Sequence, residues 1–259
     1  MKAREQVCFP LTEYIAGDHT EENVSVRTRM TASDGAFGEI WQACVASDPL
    51  QSGRPSVNQC RYILKYQPFR EENESKGLPA ITRDTISREA TLQRELAKLK
   101  LAPQVKDSWL CETGGVIVMP ALKRTAYGVF QLYDDPEVHY LILASCLALI
   151  RRLHEEGYYH GDASISNIMV NYSADDLEAA EEEDTDMKKY KAMDYKYYFI
   201  DMGFSGRLDQ TNNPRSGAEL IKNDYQILAL SMQEKYDSSS GDDQKFGPLI
   251  NFMSEYMRR

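Results

Sequence analysis

His160-Gly161-Asp162-Ala163-Ser164-Ile165-Ser166-Asn167 has the form H-x-D-x₄-N, and Asp201-Met202-Gly203 follows it at the end of an apolar run, Tyr197-Tyr198-Phe199-Ile200. A D-x-G alone recurs by chance in many chains. Two motifs in this order, each beside a strand pattern, carry far more weight. Together they supply two carboxylates and an amide. Phosphoryl transfer from a nucleotide asks for such a set: one carboxylate to orient the attacking hydroxyl, and an amide and a second carboxylate to hold magnesium.

Working outward, residues 24–120 read as strand-rich with one strong helix. Val24-Ser25-Val26-Arg27-Thr28-Arg29-Met30 alternates like a half-buried strand, and Glu39-Ile40-Trp41-Gln42-Ala43-Cys44-Val45 reads as its hairpin partner across a glycine-containing turn. Residues 47–59 form a loop by composition, 61–66 a short strand, and 71–77 a polar exposed stretch. Residues 85–101 carry Leu92, Leu96 and Leu99 at helical spacing, with Pro103 just beyond. Gly115-Val116-Ile117-Val118-Met119 is a buried strand stopped by Pro120. From Pro136 the pattern turns helical to about 156, where Gly157 provides a stop. Ile168-Met169-Val170 reads as a strand with 197–200 as its hairpin mate. The acidic run between them, about 174–190, reads as a solvated insertion. A helix is expected over 217–233, a loop over 238–243, and a last short helix over about 248–257. No internal repeat is visible.

The chain has 259 residues and a formal net charge of −10, which disfavours nucleic-acid backbone and anionic membrane surfaces as partners. The five cysteines are scattered, odd in number and without a C-x-x-C pair, so reduced thiols in an intracellular compartment are expected. Residues 1–7 lack the apolar segment of a secretory signal, and the longest apolar stretch, 140–150, is too short to span a bilayer. A soluble, intracellular protein is the expectation.

At these motifs the chain resembles the protein-kinase-like superfamily, over about 24–235. The resemblance implies an α+β, two-lobed fold. Its parts would be a β-rich N-lobe at about 1–119, a hinge at 120–122, and a reduced, truncated helical C-lobe at 123–259 that carries the acidic insertion. Ser33-Asp34-Gly35-Ala36-Phe37-Gly38-Glu39-Ile40 resembles the glycine-rich loop that covers nucleotide phosphates, with Ser33 at the first glycine position and Phe37 at the tip. Lys65 stands as the strand lysine that binds the α- and β-phosphates of ATP. Its helical partner would be Glu89 or Glu95; Arg88-Glu89-Ala90 favours Glu89, while Gln93, four residues on, stands where an apolar residue is usual. Met119 resembles the gatekeeper, and Pro120 and Leu122 the hinge residues that meet adenine, with Ile40 and Ile63 as its roof. Asp162 would be the catalytic carboxylate, and Asn167 and Asp201 the Mg²⁺ ligands. His160 is expected to be a packed structural histidine. Asp224 resembles the buried aspartate that ties its helix to the catalytic loop.

Departures from the family pattern sharpen the expectation. Gly161 replaces the arginine that answers a phosphorylated activation loop, Ser164 replaces a lysine on the γ-phosphate, and Met202 replaces the phenylalanine of D-F-G. Asp201 and Asp224 lie 23 positions apart with no A-P-E motif between them, and 35 residues follow Asp224. The H-G-D and S-N pattern resembles both the vaccinia-related and casein kinase I branch and the small kinase of the tRNA-modifying KEOPS complex. The resemblance thus implies an atypical serine/threonine kinase using ATP and Mg²⁺ on a protein substrate, with a partner protein on exposed C-lobe helices. A small-molecule hydroxyl kinase, a pseudokinase scaffold and an ATPase switch in a complex are the alternatives.

Overall fold

The computed structural model describes residues 13–15, 23–29, 38–45, 62–73, 78–133, 136–171, 195–210 and 216–237. Ser33, Gly35 and Phe37, the 47–59 loop, the acidic insertion and everything expected beyond 237 lie outside the described residues. The chain divides into two units, Met1–Ala121 and Leu122–Arg259.

The first unit is built on an antiparallel sheet of six strands in the order β1-β2-β3-β4-β6-β5. The strands are β1 (Glu13–Ile15), β2 (Asn23–Arg29), β3 (Glu39–Val45), β4 (Tyr62–Pro68), β5 (Asp107–Leu110) and β6 (Gly114–Pro120). Side chains alternate between the two faces of a strand, and β4 and β6 bury both. On one face Leu64, Tyr66, Val116 and Val118 pack with Trp41 and Trp109. On the other, Ile117, Met119 and Ile63 pack with Val105 and with Ala90 of helix α1 (Arg83–Lys98). This second face is not purely apolar, for Lys65 and Gln67 are buried as well.

Helix α1 starts two residues before the expected position. Thr82 caps it, accepting from the Thr85 N–H at 3.2 Å, while the Thr85 hydroxyl oxygen accepts from the Thr82 N–H at 2.8 Å. A threonine therefore closes the capping box where glutamate is usual. The buried face runs through Ile86, Glu89, Ala90, Leu92, Gln93 and Leu96, so the leucine stripe is only part of it. Two polar residues sit in that face, and they interrupt the hydrophobic period by which it could be read. At the far end Lys100 takes a left-handed φ of 60° and the Leu101 N–H bonds back to the Leu96 carbonyl at 2.9 Å. That closure usually uses glycine.

The second unit opens with β7 (Arg124–Thr125) and the short helix α2 (Ala126–Phe130), capped by the Thr125 hydroxyl accepting from the Gly128 N–H at 3.0 Å. Helix α3 (Pro136–Glu155) buries Ile142, Leu143, Leu147, Ile150 and Leu153 completely. It ends at Gly157, whose φ of 82° is the glycine stop expected. Strands β9 (Ile168–Asn171) and β10 (Lys196–Phe199) pair antiparallel, with β7 on the other edge of β9. Strands β8 (Tyr158–Tyr159) and β11 (Gly206–Arg207) form a small ladder that frames the H-x-D loop. Helix α4 (Gly217–Asp237) buries Leu220, Asp224, Leu228 and Met232, an i, i+4 stripe with a carboxylate inside it.

Two sequence expectations change. Cys111 is disulfide-bonded, which overturns the expectation of reduced thiols at that position, whereas Cys146 is a buried free thiol whose pKa burial pushes up to about 12. Strands β5 and β7 and helix α2 were not anticipated. Among the described residues, no helix is long and apolar enough to cross a membrane.

Candidate functional site

In the second unit the H-x-D-x₄-N loop hangs from Asp224, which is wholly buried. One carboxylate oxygen accepts from the Gly161 N–H at 2.7 Å, the other from the His160 N–H at 2.8 Å and from His154 Nε2–H at 3.0 Å. Charge-assisted bonds of this kind are about twice as strong as neutral ones, so α4 fixes the backbone of the loop at two successive residues. Gly161 itself has a φ of 80°, and a Cβ there would lie 2.7 Å from the Phe204 carbonyl oxygen. At this point backbone passes too close for any side chain, so the position takes glycine.

His160 joins three pieces of chain. Its Nε2–H donates to the Ile200 carbonyl at 3.0 Å and its Nδ1 accepts from the Asp162 N–H at 3.2 Å, which fixes a neutral tautomer. The Ser205 hydroxyl donates to its carbonyl at 2.8 Å, and its ring packs on Phe199. Both ring nitrogens are thus engaged by backbone.

Asp162 and Asn167 face each other across the loop. Asn167 Nδ2 donates to Asp162 Oδ2 at 2.9 Å and to the Asp162 carbonyl at 3.0 Å. The Ile200 N–H in turn donates to the Asn167 carbonyl at 2.9 Å, which brings Asp201 beside the pair. Asp201 adopts the left-handed conformation, φ 62° and ψ 70°, rare for a residue other than glycine. Such strain persists only where surroundings impose it. Asp162 has a raised pKa: burial is the main cause and the Asp201 charge adds to it, while the hydrogen bond from the Asn167 amide opposes it.

Among the described residues no group of three or more His, Cys, Asp or Glu side chains could by itself hold a metal ion. The donors here are two carboxylates and an amide. Because Nδ2 of Asn167 is spent on Asp162, its Oδ1 is the atom left to face a cation. That oxygen set fits magnesium, which binds through one or two carboxylates and completes its shell with phosphate and water.

In the first unit Lys65 Nζ and Glu89 Oε1 lie 2.7 Å apart, only 4% and 2% exposed. Glu95, the other candidate, is on the same helix but only partly buried. The second Glu89 oxygen accepts from Gln67 Nε2 at 2.8 Å, a partner the sequence reading missed. The signal was present: Gln67 lies two residues after Lys65, on the same strand face. Gln93, flagged as a departure, donates to the Pro103 carbonyl at 3.1 Å and lies 3.7 Å from the Met119 sulfur.

The remaining predicted residues fall along β3, β4 and β6. Gly38 has a φ of 127°, and a Cβ on it would sit 2.1 Å from the Tyr66 carbonyl oxygen, so only glycine fits. Ile40 is opposite Lys65 in the ladder, Ile63 opposite Met119, and Pro120 opposite Tyr62. Pro120 ends β6, while Leu122 begins the second unit.

No protein-family model matches the sequence, and no curated protein does. Structural similarity is broad, with 1403 solved chains matching, which makes the fold a populous one and points to no single branch of it. One of them is a crystal structure of the BubR1 kinase domain, at a TM-score of 0.51 and 13% sequence identity. The match covers 81% of this chain and 54% of that one, so the chain spans about half the length of that kinase domain chain. At such identity the likeness speaks for the fold, and with the strand order, α1 and the Asp224-anchored loop already described, the chain has an α+β, protein-kinase-like fold.

Proposed function

We propose that this chain is an ATP- and Mg²⁺-dependent phosphotransferase whose acceptor is a serine or threonine hydroxyl of a protein. The observation that carries the reading is the bond from Asn167 to Asp162, on a loop pinned by buried Asp224, with Asp201 alongside. Asn167 occupies Oδ2 of Asp162 and leaves Oδ1 for the acceptor hydroxyl. Its raised pKa makes that oxygen a better proton acceptor than an exposed aspartate. The acceptor O–H bond breaks with the proton passing to Asp162. The acceptor oxygen bonds to the γ-phosphorus as the bond to the β-phosphate oxygen breaks, and ADP leaves. Lys65, held by Glu89, presents its ammonium to the α- and β-phosphates. Asn167 and Asp201 are the residues that would hold magnesium, whose charge offsets that of the phosphates.

The metal assignment is tested by Asp201→Ala. Titration of ATP in magnesium should show its affinity falling at least about tenfold, a loss of roughly 1.4 kcal/mol. Unchanged affinity would remove Asp201 from the metal site.

A further inference from the structure

Lys65 and Gln67 point to one face of β4, and both end on the same carboxylate of α1. Lys65 Nζ meets Glu89 Oε1 at 2.7 Å and Gln67 Nε2 meets Oε2 at 2.8 Å. All three side chains are at least 95% buried. On β6 the residue opposite Gln67 is Gly115, which adds no side chain and no charge. Lys65 on the strand and Glu89 on the helix are the charged pair that meets here.

The amide of Gln67 is an odd choice for this place. Its Oε1 is buried and has no hydrogen-bond partner among the described residues. A buried carbonyl left unpaired opposes folding, and a leucine or methionine would fill the space without it. What the amide provides is a neutral donor for the second oxygen of Glu89. A cation there would compete with Lys65 for the carboxylate, and an apolar group would leave Oε2 bare and free the side chain to turn. With both oxygens bound from one strand, the carboxylate is held in one rotamer and the Lys65 ammonium with it.

We infer that Gln67 is a positioning residue that locks Glu89, so that the Lys65–Glu89 pair stays formed without any ligand or modification to assemble it. The inference takes Lys65's role at the ATP phosphates from the function proposed above, and the role of Gln67 from geometry.

The test is titration of MgATP into the full chain for wild type, Lys65→Met, Gln67→Met and Gln67→Glu, at pH 8 and pH 6. Lys65→Met should weaken binding by at least about tenfold, and Gln67→Met by about fivefold to tenfold. Gln67→Glu places a second carboxylate against Glu89. At pH 8 the two repel and binding should be weak. Near pH 6 a shared proton restores a donor, and affinity relative to wild type at the same pH should recover several-fold. That recovery occurs within one protein and does not depend on how well Gln67→Met folds. Wild-type affinity in both Gln67 variants at both pH values, with Lys65→Met weakened, would overturn the positioning role alone. Wild-type affinity in Lys65→Met would overturn the role of Lys65 and this inference with it.

Discussion

Asp162 has conflicting demands placed on it. It sits partly out of water and near Asp201, and both raise its pKa. The folded chain therefore holds its proton more tightly than the unfolded chain does. Stability then falls as pH rises from the ordinary aspartate value through the raised one, and the penalty is complete at neutral pH. Asparagine keeps an oxygen for the Asn167 amide and removes the charge. Asp162→Asn should thus melt at the same temperature as wild type or about 1–4 °C higher at pH 7. The gap should close below about pH 4, where the wild-type carboxyl is protonated. Thermal melts across that range check it; a variant less stable than wild type at pH 7 but equal to it at pH 4 would contradict the assignment. At this scale the sequence was readable where a residue's chemistry and its neighbours in the chain agree, as for the H-x-D-x₄-N loop. For Gln67 the sequence shows its place on the strand face of Lys65 but not its partner, Glu89, 22 positions away.

Helix α4 acts on the loop through a single side chain. Asp224 receives three donors, two of them backbone N–H groups of adjacent residues. Asp224→Asn turns one acceptor oxygen into a donor, so at least one N–H faces another N–H in a buried place. The expected loss is about 3 kcal/mol, read as a urea midpoint lower by about 1–2 M. Transfer activity should fall with it because the loop loses its anchor. An unchanged midpoint would show that the loop holds its shape without α4. The elements most legible in sequence were those with a long period or a clear stop, such as α3 with Gly157 and β6 with its unbroken apolar run. Helix α1 was legible as a helix but its buried face was not, since Glu89 and Gln93 interrupt the apolar stripe. Strand β5, Asp-Ser-Trp-Leu, has little strand character of its own; pairing with β6 makes it one. The two-residue strand β7 and five-residue α2 are too short for any period to show.

Over the whole molecule, the residues that the proposed phosphoryl transfer uses are divided between the two units. The first holds a buried ammonium fixed by a carboxylate; the second holds a carboxylate, an amide and a strained aspartate on an anchored loop. The kinase-like fold was legible because the order of motifs along the chain matched the order of strands and helices between them. Residues 33–37 of the stretch that resembles the glycine-rich loop, and the acidic insertion at about 174–190, lie outside the described residues. The most direct test is transfer of labelled γ-phosphate from MgATP to generic protein acceptors, with wild type beside Asp162→Asn. The account predicts labelled protein with wild type and a loss of at least about 100-fold in the variant. Equal labelling by both, or none by wild type with any protein acceptor while MgATP still binds, would contradict it.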